Sequence, residues 1–188
     1  MGDYNTPHKT KEEIGDGGLF MEKANNILKK TRYLGCAANT LLLILPSEKK
    51  FYNALIEKIN KGEIYLEYLF SLQSTKEAII EYVRKNGKNG WEEIKKNWGD
   101  LVYRCPNVSL RYIDRDDFIS CIISDHHTLV MWKGDKENIG VTYITRGMSF
   151  YKNLFDEIFA TGSNAHLEAI QSIEEKLNEM GLIKHATL

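Results

Sequence analysis

The stretch Tyr33–Phe70, YLGCAANTLLLILPSEKKFYNALIEKINKGEIYLEYLF, decides the fold. Its first part, Tyr33 to Leu45, is an apolar run that opens on small residues. Periodicity alone fits it to a buried strand or to a strand followed by a helical turn, and we take it as a central strand. Pro46 and Ser47 break the run, and Phe51, Leu55, Ile56 and Ile59 then recur at helical spacing until Gly62, a natural residue to close a helix. Ile64–Phe70 (IYLEYLF) is rich in β-branched, aromatic and leucine residues with only Glu67 charged, as in a strand covered on both faces. Strand, helix and strand in succession predict a right-handed βαβ unit, and with it an α/β fold.

Upstream, Phe20, Ala24, Ile27 and Leu28 mark a short amphipathic helix over 19–31. Residues 1–18 are polar, carry Gly15, Gly17 and Gly18 and lack apolar periodicity, so they read as a mobile tail. Downstream, Ser74 is placed to cap a helix through Val83, and Gly87 to Gly90 separate it from a shorter helix around Trp91–Trp98. The period then changes. VSLRYI (108–113), FISCIIS (118–124), TLVMW (128–132) and IGVTYI (139–144) are β-rich runs between Asp and Gly punctuation, with Asp125-His126-His127 as the turn joining the second and third. A helix over Ser149–Phe159 stops at Gly162. A closing helix from about Asn164 to Met180 carries Leu167, Ile170, Ile173 and Leu177 as a narrow apolar seam, suited to the domain surface or to a partner helix.

Composition bounds the function. The 188 residues suffice for one domain, and 25 Lys and Arg against 26 Asp and Glu leave a net charge of −1, so no overall cationic field draws the chain to nucleic acid or an anionic membrane. Three widely spaced cysteines, Cys36, Cys105 and Cys121, read as reduced thiols rather than as disulfides or a zinc site. The longest uncharged stretch, 33–47, is too short and too polar to span a bilayer, and the N-terminus lacks a signal-peptide pattern. A cytoplasmic protein without direct nucleic-acid or membrane contact is expected. Phosphate-binding loops, GxGxxG, GxSxG and CxxC pairings are absent from the sequence, and no cofactor is expected.

Two groups of residues carry chemical interest. Arg111, Tyr112, Asp114, Arg115, Asp116 and Asp117 crowd the end of a strand, where open α/β sheets bind ligands, and Arg111 is the candidate among them. Asp125, His126 and His127 form the second group. Adjacent histidines on a tight turn point apart, so a solvated turn is favoured over a metal site. His126 or His127 working with Arg111 or Arg146 would be the phosphoryl-transfer alternative. Trp91 and Trp98 share a helical face and read as core, as does Trp132; the lysine pairs at 29–30, 49–50 and 95–96 read as solvated helix faces.

Together with PNVSLRYID (106–114) and FISCIISDHHTLVMW (118–132), the opening stretch resembles a half-unit of the phospholipase D-like superfamily. The resemblance covers roughly 19–162 and implies a mixed sheet flanked by helices, with N- and C-terminal helical extensions and a separate amphipathic helix over 163–188. Active members of that superfamily carry His-x-Lys, four residues, then Asp. With Asp125 in the Asp position, Phe118 stands where the nucleophilic His belongs and Ser120 where the Lys belongs. A phenyl ring has no lone pair for attack on phosphorus, and a hydroxyl supplies no cation. The resemblance therefore implies a noncatalytic module, nearest to the sensor domain of archaeal TrmB-type regulators, which binds a small effector, often a sugar. Those regulators place a winged helix before the domain, which the polar residues before Leu19 do not encode. The expectation is an effector-binding or partner-docking regulatory module, homodimeric through its terminal helices, with Arg111, Ser120, Asp125, His126 and Arg146 as candidate ligand contacts. An adaptor subunit of a transcription-regulatory complex is the third reading.

Overall fold

The computed structural model describes residues 10–15, 17–46, 50–115, 120–133, 139–144 and 148–183. In chain order these form β1 (Thr10–Gly15), α1 (Gly17–Leu28), β2 (Tyr33–Ala38), α2 (Lys50–Asn60), β3 (Tyr65–Ser71), α3 (Leu72–Gly99), β4 (Val108–Ile113), β5 (Ser120–Ser124), β6 (Thr128–Lys133), β7 (Ile139–Ile144), α4 (Met148–Thr161) and α5 (His166–Glu179). The strands make one seven-stranded mixed sheet in the order β1-β7-β6-β5-β2-β3-β4. β2, β3 and β4 run parallel, while β5 pairs antiparallel with β2 and opens an antiparallel run through β6 and β7 to β1. The expected mixed α/β architecture is thus present, with the βαβ unit β2-α2-β3 between β5 and the edge strand β4.

Alternation along the strands assigns the two faces of the sheet. Leu34 and Cys36, Leu66, Tyr68 and Phe70, Leu110, Ile122 and Leu129 enter one large core with Ala24, Leu55, Ile79, Trp91, Trp98 and Ile173 from α1, α2, α3 and α5. Ala37, Leu69 and Ile123 face the other way and are covered by Phe155 and Phe159 of α4. Both faces of β3 are therefore buried, which is why its sequence is almost unbroken in apolar character.

Several boundaries differ from the sequence reading. The apolar run from Tyr33 leaves the sheet after Ala38 and turns through a 3-10 segment at Leu42–Ile44, where Leu41 and Ile44 are fully buried without pairing. Ser71 rather than Ser74 caps α3, its hydroxyl accepting from the Ser74 amide at 3.2 Å. Gly87 sits at φ +62° and breaks α3 into two helices, the expected separation. Part of the polar N-terminal segment is strand: Thr10–Gly15 pairs with β7 over six residues, held by main-chain hydrogen bonds that require no apolar pattern.

The closing helix is not a free extension. Ala169, Ile173 and Leu177 of α5 are buried in the main core, so the seam read as suited to the domain or to a partner is occupied by the domain. Leu167, counted in that seam, is exposed instead. No described helix is long and apolar enough to cross a membrane.

Candidate functional site

The parallel strands set the geography. In register, Arg111 of β4 lies opposite Leu69 of β3, Leu69 opposite Ala37 of β2, and Ala37 opposite Cys121 of β5. Three interstrand steps of about 4.8 Å separate Arg111 from β5, roughly 14 Å in all. Ser120 opens β5 at the C-terminal end of β2 and β3, whereas Asp125 and His126 follow its last residue at the opposite end of the sheet. The structure accordingly does not bring Arg111, Ser120 and the Asp125–His126 pair to one place. Phe118 and Arg146 lie outside the described residues, and so does the side chain of Trp132.

Arg111 closes a helix. One guanidinium nitrogen donates to the carbonyls of Ala160 at 2.9 Å, Gly162 at 3.3 Å and Phe159 at 3.5 Å, and the group lies 5.1 Å over the Phe159 ring. These are carbonyls that a helix end leaves without intrahelical partners. Gly162 fits beneath it because a Cβ there would stand 2.8 Å from the Cβ of Arg111 and 2.9 Å from Leu69.

Asp125 staples a turn. Its Oδ2 accepts from the Thr31 hydroxyl at 3.0 Å and from the amides of Arg32 at 3.1 Å and Tyr33 at 3.3 Å, joining the β5–β6 turn to the entry of β2. Within the turn, Ser124 Oγ accepts from the His126 and His127 amides and donates to the His127 carbonyl. The two imidazoles meet edge to face at 6.4 Å, and burial together with the charges of His126 and Lys30 pushes the His127 pKa down. Among the described residues no group of three His, Cys, Asp or Glu side chains stands ready to hold a metal ion.

A cleft of about 560 Å³ opens at the C-terminal end of β4, lined by Ile113, Asp114, Arg115, Glu157, Ile158 and Thr161. Its volume falls in the range of small-molecule sites. Two carboxylates, one guanidinium and a hydroxyl offer both donors and acceptors with an excess of negative charge, over walls made by two isoleucines. Asp114 and Arg115 belong to the charged cluster singled out in the sequence. Glu157 and Thr161 carry no such signal, because only the packing of α4 over the sheet places them beside the end of β4.

The aromatic residues behave as core. Trp91 and Trp98 are buried; the Trp91 indole donates to Glu174 at 3.0 Å and that of Trp98 to His166 Nδ1 at 3.4 Å. His166, unnoticed in the sequence, is buried among Trp98 and Tyr112, with its Nε2 on the Leu110 carbonyl at 3.0 Å. Cys36 and Cys121 are unpaired, and burial pushes the Cys121 thiol up to about 11, which leaves it protonated and inert at neutral pH.

Neither protein-family models nor curated proteins match the sequence. Two solved structures are similar in fold. One is TrmBL2, an archaeal chromatin protein described as showing a novel mode of DNA binding, with TM-score 0.57 and 12% identity over 87% of this chain and 56% of that one. The other is phosphatidylserine synthase from Haemophilus influenzae Rd KW20, with TM-score 0.51 and 9% identity over 92% of this chain and 46% of that one. The chain spans about half the length of the structures it matches. The first neighbour's DNA binding lends no support to the expectation that this chain meets no nucleic acid directly. At these identities the likeness is one of fold: the chain shares the mixed α/β architecture of these two structures.

Proposed function

We propose that the protein is a noncatalytic regulatory module of phospholipase D-like fold that binds a small polar effector in the cleft between the end of β4 and the C-terminal half of α4. The observation that carries this reading is the cleft itself, at the carboxyl end of the parallel strands, where open α/β sheets take their ligands. Its excess of carboxylates opposes a phosphorylated ligand and favours a neutral polyhydroxylated or cation-bearing one, since donors and acceptors stand side by side. Ile113 and Ile158 suit the apolar face of a sugar ring.

Phe118 and Ser120 in place of the His and Lys of the active superfamily support a binding role over phosphoryl transfer. The rival enzyme needs His126 or His127 beside Arg111. Arg111 is instead committed to the carbonyls of α4 and stands on the far side of β2 and β3. The adaptor reading draws on the likeness to an archaeal chromatin protein, and under it the effector cleft would report to a DNA-binding partner.

A thermal-shift and calorimetric screen of sugars, polyols, amino acids and sugar phosphates tests the proposal, because a ligand selective for the folded state raises its stability. Uncharged or zwitterionic compounds are expected to protect more than their phosphorylated counterparts, and Glu157→Gln or Arg115→Ala to abolish protection while leaving the unliganded melting temperature in place. Protection that survives both substitutions, or none across the panel, would overturn the effector role and leave docking of a partner protein.

A further inference from the structure

The Asp125 staple has a consequence at the surface. It draws the β5–β6 turn, with His126 and His127, against the segment Lys29-Lys30-Thr31-Arg32 that leads into β2. Lys29, Lys30 and Arg32 are exposed, as is His126, and among the described residues none of these three cations has a carboxylate partner. The nearest acid, Asp125, spends its Oδ2 on a hydroxyl and two amides. Of the neighbouring charges, Lys152 meets Asp156 at 2.8 Å, while Glu67 keeps its negative charge and accepts from the Tyr33 hydroxyl at 2.7 Å. Half-exposed Tyr65 stands next to Arg32, its amide on the Arg32 carbonyl at 2.8 Å. On a chain of net charge −1, five cationic or titratable side chains from two distant segments thus share one end of the sheet.

We propose that this surface, Lys29, Lys30 and Arg32 flanked by His126 and His127, docks on the phosphate backbone of a nucleic-acid duplex without reading its bases. None of these residues lines either the cleft at the end of β4 or a second one of about 490 Å³ around Asn107, so a small phosphate would find no enclosure here, whereas an extended polyanion needs none. The cationic groups are point-charge donors on two turns, and duplex DNA offers the densest row of negative charge for them. Base stacking of single strands would ask for several aromatic rings interleaved with the cations, whereas segment 29–32 carries none and the half-exposed Tyr65 stands beside it alone among the described exposed aromatics of this surface.

His127 adds a pH dependence of definite sign. The charged groups around it are Lys30 from the turn before β2, and His126 and Asp125 on its own turn. Burial and the neighbouring charges hold its pKa below the ordinary histidine value, and where it is protonated the surface gains a positive charge, so binding strengthens as pH falls.

The test is fluorescence anisotropy of a labelled duplex of arbitrary sequence with the full chain. At pH 8, engagement of about three phosphates predicts a slope near −2.7 for log K against log salt, a loss of about 40-fold from 50 to 200 mM. The slope should steepen as pH is lowered from 8. The combined variant Lys29→Gln/Lys30→Gln/Arg32→Gln should abolish binding with its melting temperature unchanged, because the Asp125 staple uses only main-chain amides and the Thr31 hydroxyl. The matched variant Arg84→Gln/Lys85→Gln/Lys88→Gln, on α3, should bind like the parent. Binding weaker than about 10⁻⁴ M at low salt, equal losses in the two variants, or equal affinity for a polyglutamate peptide would overturn the proposal. The effector screen above depends on other residues, so either result stands alone.

Discussion

The carboxylate of Asp125 and the hydroxyl of Thr31 meet at 3.0 Å across two strand ends, and the same oxygen gathers the amides of Arg32 and Tyr33. A carboxylate that accepts several hydrogen bonds contributes more than a neutral acceptor does. Asp125→Ala should lower stability by about 1–3 kcal/mol and loosen the entry of β2, read as faster amide exchange at Arg32 and Tyr33. Asp125→Asn, which keeps an acceptor, should lose less. Full stability of the alanine variant would remove the staple from the account of the fold.

Arg111 makes the comparable link at the other face. Arg111→Ala leaves three carbonyls at the end of α4 to water and removes the cation from the Phe159 ring, for an expected cost of about 1–3 kcal/mol. Arg111→Lys should recover only part, since an ammonium cannot stack on the ring as a planar guanidinium does. Urea unfolding of both variants, with exchange protection along α4, checks this. A variant that folds like the parent yet loses effector binding would reassign Arg111 to the ligand.

His166 ties stability to pH. Its imidazole is buried between the Trp98 indole and the Leu110 carbonyl, and burial lowers its pKa below the ordinary histidine value. The unfolded chain therefore takes up a proton that the folded protein resists. Stability is complete above about pH 6.5 and declines as pH falls from there towards the folded-state pKa, by up to about 1.4 kcal/mol per pH unit for one such site. His127 is shifted in the same direction. Urea midpoints between pH 7.5 and 5 should fall in the parent and fall less steeply in His166→Gln; identical slopes would mean that His166 does not govern the decline.

Two glycines separate steric from conformational cost. A Cβ on Gly35 would stand 2.9 Å from the Tyr33 hydroxyl and 3.0 Å from Phe155, a buried side chain of α4, so Gly35→Ala should cost about 1–3 kcal/mol by overpacking. Gly87 has open space around it but φ +62°, so Gly87→Ala should cost about 1 kcal/mol through the backbone alone. Thermal unfolding of both variants, with a repacking substitution Phe155→Leu beside Gly35→Ala, distinguishes the two. Only the Gly35 variant should be rescued.

Local pattern made much of the architecture legible. The strands at Tyr33, Tyr65 and Val108 and the closing helix all follow from which positions must be buried, as does the assignment of Trp91 and Trp98 to the core. Gly62 and Gly87 mark positive φ where the sequence places helix ends. The polar strand β1 was opaque, because its main-chain pairing with β7 requires no apolar pattern in the sequence.

The amino-acid sequence by itself determined the alternation of helix and strand and the apolar faces, since each depends on residues close together in the chain. Tertiary structure alone decided what the charged residues do. Arg111 and Asp125 looked like ligand contacts and are bound to carbonyls and amides, while Lys29 and Lys30 looked like an ordinary solvated face and share a surface with Arg32 and two histidines. The physical reason is that burial is written in local periodicity, whereas the partner of a polar group is set by strand order, and here that order places β5 beside β2 and α4 over β3.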